Sequence, residues 1–165
     1  MQYSIRQVAA IIGGDFLNPN PQDDSLVEHL LLDSRQVIFP ASSLFFALHG
    51  SRQDGHDFIG DLYLTGVRHF VVSRKLDITP YQDVNFLLVA DALPALQALA
   101  AYHRSQFSYP VVGITGSNGK TIVKEWLNQL LTEDFRIVRS PRSFNSQIGV
   151  PLSVWQMQAE HTLAI

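Results

Sequence analysis

The sequence predicts an α/β protein made of two consecutive units, a small α/β domain followed by the beginning of a P-loop ATPase-type α/β domain. Three observations predict it. Short apolar runs alternate with segments of helical periodicity after residue 24. A glycine-rich loop joins an apolar run to an amphipathic segment in VVGITGSNGKTIVKEW, residues 111–126. Finally, 46% of the 165 residues are hydrophobic, enough to bury a core.

The first element is a helix over Ile5–Ile12, because Ser4 and Gln7 have capping-box spacing and Ile5, Val8, Ala9 and Ile12 share one face. Gly13 and Gly14 stop it. A polar, proline-bearing loop (NPNPQDD, 18–24) leads into strand-like runs EHLLLDS (28–34) and SLFFALHG (43–50). A helical HDFIGDLYLTG (56–66) follows, then the strands VRHFVVS (67–73) and VNFLLVAD (84–91). Residues 92–107 are rich in Ala and Leu at helical spacing, and SYP breaks them. The second unit should run strand VVGIT (111–115), glycine loop, helix 121–131, strand FRIVRS (135–140), a loop through PRSFNSQIG (141–149), a helix after Pro151 and a last strand in HTLAI (161–165). Trp126, Leu127, Leu130 and Leu131 stand at helical spacing and are expected to be the buried face of the loop's helix. The boundary between units is expected near Asp91, giving domains 1–90 and 91–165. HTLAI starts a buried strand with no turn after it, so the chain is expected to be a piece of a longer protein.

Charge and composition narrow the function. With 12 basic and 15 acidic residues the net charge is -3, which offers no field to hold a nucleic acid. There is no cysteine, hence no disulfide framework and no thiolate chemistry. The N-terminus lacks the basic and long apolar regions of a secretory signal, and no apolar run approaches the roughly 20 residues of a membrane span. A soluble, cytoplasmic protein is expected. Of six histidines, His49 and His56 cluster with Asp54 and Asp57, but at spacings that suit no helical or strand pair of metal ligands.

The glycine loop carries the chemistry. Binding phosphate takes converging backbone N–H groups, glycines that let the chain wrap closely, a helix N-terminus behind, and a lysine for the outer phosphates. Residues 116–121 supply all of these. Gly116, Ser117, Asn118 and Gly119 give the amides, Lys120 reaches the β- and γ-phosphates of ATP, and the Thr121 hydroxyl binds Mg²⁺. The common pattern G-x-x-x-x-G-K-[ST] would place its first glycine at position 114, which is Ile114. The glycines here are Gly113, Gly116 and Gly119. A bare glycine turn before an ordinary helix is the plainer reading of the same residues.

GITGSNGKT resembles the nucleotide loop of the Mur ligase superfamily, the ATP-dependent amide-forming enzymes of peptidoglycan assembly. LLLDSRQVIFPASSLFFALHGSRQDGHDFI (30–59) resembles the N-terminal domain of those members that extend the peptide on UDP-N-acetylmuramic acid. SFNSQIGVPLSVW (143–155) is similar to the segment after the loop in the D-alanyl-D-alanine-adding, or MurF, type. The wording KTIVKEWL … RSPRSFNSQIGVPLSVWQM is also similar to ligases fused to a C-terminal alanine racemase, which implies such a domain beyond this chain.

The resemblance implies a reaction. ATP phosphorylates the terminal carboxylate of UDP-N-acetylmuramoyl-tripeptide, and the amine of D-Ala-D-Ala attacks the acyl phosphate. Lys120 would be the catalytic residue. Ser34 and Arg35 would lie near the uridine diphosphate, with the loop 50–56, including Gly55 and His56, closing over it. A solvated turn in which Asp33 pairs with Arg35 is the simpler reading of DSR. Asn145 and Ser146 would contact the muramoyl-peptide, although many relatives read FNN where this chain reads FNS. The family's magnesium-binding glutamate follows a strand like TLAI and would lie past Ile165. Its modified lysine and its C-terminal domain would lie further on, so the 165 residues alone are expected to be inactive. A sibling ligase adding a diamino acid (MurE type) and a non-catalytic nucleotide-binding module are the alternatives.

Overall fold

Helix α1, Ile5–Ile12, begins on the expected capping box: the Ser4 hydroxyl accepts from the Gln7 N–H, and the Gln7 side chain accepts from the Ser4 N–H. It ends at Gly13, whose φ of 63° is a left-handed cap that favours glycine. The structure is a computed structural model that describes residues 2–17, 24–50, 53–141 and 144–165. The proline-bearing loop, except Asp24, lies outside the described residues, as do Ser51 and Arg52 of the expected substrate loop and Arg142 and Ser143 of the later one. The chain divides into two compact units, Met1–Leu99 and Ala100–Ile165.

In the first unit, β1 (Tyr3–Ser4) pairs antiparallel with β3 (Leu26–Val27). A five-stranded sheet is formed by β2 (Asp15–Phe16), β4 (His29–Leu31), β5 (Ser43–Phe46), β6 (His69–Val72) and β7 (Asn85–Leu88), in the order β2-β7-β6-β5-β4. The strands β4 to β7 run parallel, and β2 joins the β7 edge antiparallel. SLFF, HFVV and NFLL are apolar runs without polar alternation, as strands covered on both faces require. Phe45, Phe70 and Phe86 point to one face and pack with Ile59 and Leu62 of α2 (Ile59–Leu64). Phe70 stacks on Phe86 at 5.3 Å between ring centres. Leu44, Phe46, Val71 and Leu87 alternate to the other face and are also fully covered. The expected helix 56–66 is split, with a 3-10 turn at Gly55–Phe58 preceding α2. Asp54 caps that turn by accepting from the His56 N–H, and so starts a tighter helix before the apolar spacing of α2 takes over.

Helix α3, Ala92–Ser105, matches the Ala/Leu-rich segment, and Asp91 accepts from the Leu93 N–H at its start. The division between units falls within it, after Leu99. In the second unit β8 (Ile137–Val138) runs parallel to β9 (Leu163–Ala164). The expected strand 111–115 is reduced to one parallel bridge, Val111 to Ala164. A strand is held by its ladder, and the ladder beside the short β9 ends at Ala164, so residues 113–115 run on as loop. Helix α4, Lys120–Leu131, follows the loop, and α5, Gly149–Val154, starts two residues before Pro151, which sits in its first turn. Phe107, Val138, Met157 and Ala164 form the small core of this unit.

The expected burial of α4 is corrected. Trp126 is 62% and Leu130 73% exposed, with Ile122 also exposed, while Leu127 and Leu131 are only half-buried. The paired strands of this unit offer too little sheet to cover a twelve-residue helix. The buried residue of α4 is Lys124. Among the described residues no helix is long and apolar enough to cross a membrane.

Candidate active site

The loop between the Val111 bridge and α4 turns on Gly116 (φ 141°) and Gly119 (φ 79°), both in the region that side chains rarely adopt. Gly119 is the residue before the helix, and no side chain caps the first turn of α4. Its leading N–H groups therefore point out of the helix with the positive end of the dipole behind them, as an anion site requires. Ser117, Asn118 and Thr121 lie exposed around this turn. The Lys120 ammonium folds back and donates to the Gly116 carbonyl, so it sits inside the curve of the loop.

Beside the loop lies a cavity of about 290 Å³. Lys120, Thr121 and Lys124 of α4, Arg139 and Ser140 after β8, and Asn145 provide polar groups on its wall. Val112, Val138, Val150, Val154 and Ile165 are among its apolar lining. Among the described residues no Asp or Glu lines it, whereas Arg104, Lys120, Lys124 and Arg139 all do. Lys124 and Arg139 are paired with Glu125, so the charge this wall offers an anionic ligand comes mainly from Lys120 and Arg104.

The segment that carries Asn145 is held by α5. The Ser146 hydroxyl accepts from the Gly149 N–H at 3.0 Å, and the Ser146 carbonyl accepts from the Val150 N–H at 3.0 Å. Ser146 thus serves the start of α5, while Asn145 faces the cavity. Gly149 passes so close to Phe144 that a Cβ there would meet the Phe144 Cα at 2.9 Å. Lys124, Arg139, Ser140 and Ser153 line the cavity although motif spacing does not reveal them. Lys124 alone left a signal, since it stands four residues after Lys120 and hence on the same helix face.

In the first unit, Asp33 accepts from the Arg35 backbone N–H, from Nε at 2.9 Å and from Nη2 at 2.7 Å. These bonds to Arg35 hold the Asp33 carboxyl at about 2. DSR is thus a turn with an internal ion pair, and the Arg35 side chain remains 86% exposed. The loop at 50–56 closes on itself. The Gly50 N–H donates to the Gln53 carbonyl and the Gly55 N–H to Leu48. A Cβ on Gly55 would lie 2.8 Å from the Ala47 Cα.

His56 does not face solvent. Its Nδ1 lies 2.5 Å from Asp54 Oδ1, and its Nε2 accepts from the Ser73 N–H at 3.1 Å. Asp54 also approaches His49 and Arg74, both at 3.5 Å. The histidine and carboxylate cluster seen in sequence is thus a network of internal contacts in which the Arg74 guanidinium pairs with Asp54 and Asp57. His56 anchors the loop to the end of β6 from within.

Residues 114–165 match the Mur ligase middle domain. Over 162 residues the chain is 30% identical to the UDP-N-acetylmuramoyl-tripeptide–D-alanyl-D-alanine ligase of Bacillus subtilis (strain 168), an alignment covering 98% of this chain and 35% of the relative. The structure is similar to the crystal structure of MurF from Acinetobacter baumannii, with a TM-score of 0.87 and 28% identity over 99% of this chain and 35% of that one. It is also similar to MurF ligase from Thermotoga maritima in complex with ADP, with a TM-score of 0.71 and 32% identity over 84% of this chain and 31% of that one. The chain spans about a third of the length of the curated relatives it matches.

Proposed function

From its match to the Mur ligase middle domain over 114–165 and to UDP-N-acetylmuramoyl-tripeptide–D-alanyl-D-alanine ligases over nearly its whole length, we propose that this chain is part of a Mur ligase of the MurF type. The enzyme joins D-Ala-D-Ala to UDP-N-acetylmuramoyl-tripeptide with ATP. The terminal carboxylate takes the γ-phosphoryl group and ADP leaves. The amine then attacks the acyl carbon, the amide forms, and phosphate departs with the carboxylate oxygen. The observation that carries this reading is the uncapped head of α4, with Lys120 curled into the loop beside a cation-lined cavity that Asn145 also faces. Phosphoryl transfer is catalysed mainly by positioning and charge neutralisation, which this arrangement supplies.

In this reading residues 1–90 bind the uridine end of the substrate and residues 91–165 begin the ATP-binding domain. Amides of 116–119 hold the phosphates, and Lys120 leaves the Gly116 carbonyl to reach the transferred group. Asn145 orients the muramoyl-peptide, with Ser146 supporting it through α5. Ser34, Arg35 and the loop containing Gly55 serve the uridine diphosphate, Arg35 by exchanging Asp33 for phosphate and Gly55 and His56 by fixing the loop's shape. Mg²⁺ is usually held by one or two carboxylates together with phosphates and water, so the Thr121 hydroxyl at the cavity wall would supply one oxygen and the family's glutamate the carboxylate. When bound it would neutralise charge on the phosphates.

The family's glutamate, modified lysine and C-terminal domain then belong to the remainder of a longer cytoplasmic enzyme, with a racemase domain fused after it. The intact mass of the native protein tests that extension. Activity is tested on the full-length enzyme, where phosphate should be released only when UDP-muramoyl-tripeptide and D-Ala-D-Ala are both present. Equal release with a diamino acid in place of D-Ala-D-Ala would move the assignment to the sibling ligases. Lys120→Ala should abolish turnover while UDP-substrate binding survives, and retained turnover would remove Lys120 from the chemistry.

A further inference from the structure

Lys124 is a lysine whose side chain is only 8% exposed, an expensive place for an ammonium unless it is fully engaged. Nζ donates to the Ser140 carbonyl at 2.6 Å and lies 3.2 Å from the Glu125 carboxylate, which also accepts from Arg139 at 2.8 Å. Ser140 is where the chain leaves β8. Its hydroxyl shares a hydrogen bond of 3.0 Å with that of Ser153 on α5. Ser153 Oγ in turn lies 2.9 Å from the Gly149 carbonyl. Gly149 is packed on the Phe144 backbone and donates to Ser146. A continuous set of contacts therefore runs from Lys124 to the residues on either side of Asn145.

We infer that Lys124 is a positioning residue: its ammonium fixes the end of β8 and, through Ser140, Ser153 and Gly149, sets where Asn145 stands relative to the phosphate loop. The inference rests on the ligase reading for what Asn145 contacts. Lys120 and Lys124 then divide the work of one helix face. Lys120 is left exposed enough to move to phosphate, and Lys124 is held by a backbone carbonyl that offers no reason to move. The carbonyl matters, because it cannot change its charge when the ligand arrives, so the link persists through binding.

The test compares the full-length enzyme with its Lys124→Met, Lys124→Arg and Ser153→Ala variants. Lys124→Met should raise the KM for UDP-muramoyl-tripeptide about tenfold, the effect of losing one hydrogen bond from a charged donor, and leave the KM for ATP nearly unchanged. Lys124→Arg keeps a donor and should recover most of the loss. Ser153→Ala, which removes only a hydroxyl, should shift the same KM in the same direction and serves if the Met variant does not fold. An equal or larger rise in the KM for ATP would make Lys124 a phosphate ligand and overturn the inference, as would Arg behaving no better than Met. Failure of the unmodified enzyme to use D-Ala-D-Ala would instead sink the ligase reading. The inference would then be decided by hydrogen exchange of the Gly149 and Val150 amides in the same proteins. Faster exchange in Lys124→Met supports it, and unchanged exchange overturns it.

Discussion

Asp54 shows what a single carboxylate does for the loop at 50–56. Burial would push its pKa up, but the His56 backbone N–H, the His56 ring and the Arg74 guanidinium outweigh burial and hold it at about 2, below the ordinary 3.8. A depressed carboxyl stabilises the fold fully above its unfolded value, and that contribution is lost as pH falls toward the folded one. Urea unfolding measured between about pH 5 and pH 2 should therefore show a loss of stability below about pH 4 that Asp54→Asn largely lacks. Equal slopes in both proteins would leave Asp54 without this role. The Asp33 carboxyl is depressed as well, by Arg35, but that pair is exposed and should add little to the slope. Spacing pointed to His56 and Asp54 as a cluster. It could not tell a ligand-facing histidine from an anchoring one, because that depends on Ser73, seventeen residues away.

Two helices depend on a single residue at their start, one on a side chain that is absent and one on a side chain that is present. Gly149 at the head of α5 has the Phe144 backbone where a Cβ would go, and Phe144 cannot withdraw without moving Asn145. Gly149→Ala should lower stability by about 1–3 kcal/mol, as overpacking does, and weaken UDP-substrate binding with it. Thermal unfolding together with calorimetric titration would show both or refute the link. At α1, Ser4→Ala removes one half of the capping box and should lose about 1 kcal/mol in the same unfolding assay, without touching ligand binding. Helix α1, the four parallel strands and α3 were legible because capping chemistry and unbroken apolar runs are local signals. The split before α2 was not, since Asp54 starts a tighter turn within an apparently continuous helical pattern. The strand at 111–115 failed for a different reason. A strand exists only with its neighbour, and the neighbour here is two residues long.

Across the whole molecule the largest departure from sequence pattern is α4, whose apolar stripe of Ile122, Trp126 and Leu130 faces water. The periodicity identified the helix correctly but presumed a partner surface that the described residues do not provide. The 165-residue chain should consequently bind a hydrophobic dye, and Trp126→Gln should reduce that binding while the far-ultraviolet circular dichroism stays the same. An unchanged dye signal would mean that the stripe is covered in solution. Another global feature is the position of β9. Ala164 is bridged to Val111 on one side and paired with Val138 on the other, and Ile165 exchanges backbone hydrogen bonds with Val138 and Ser140. β9 is thus the middle of its small sheet, and Ile165 lines the cavity beside the glycine loop. For anyone handling the molecule, a purification tag or fluorophore joined directly to Ile165 would begin at the wall of that cavity, and labels are better carried elsewhere.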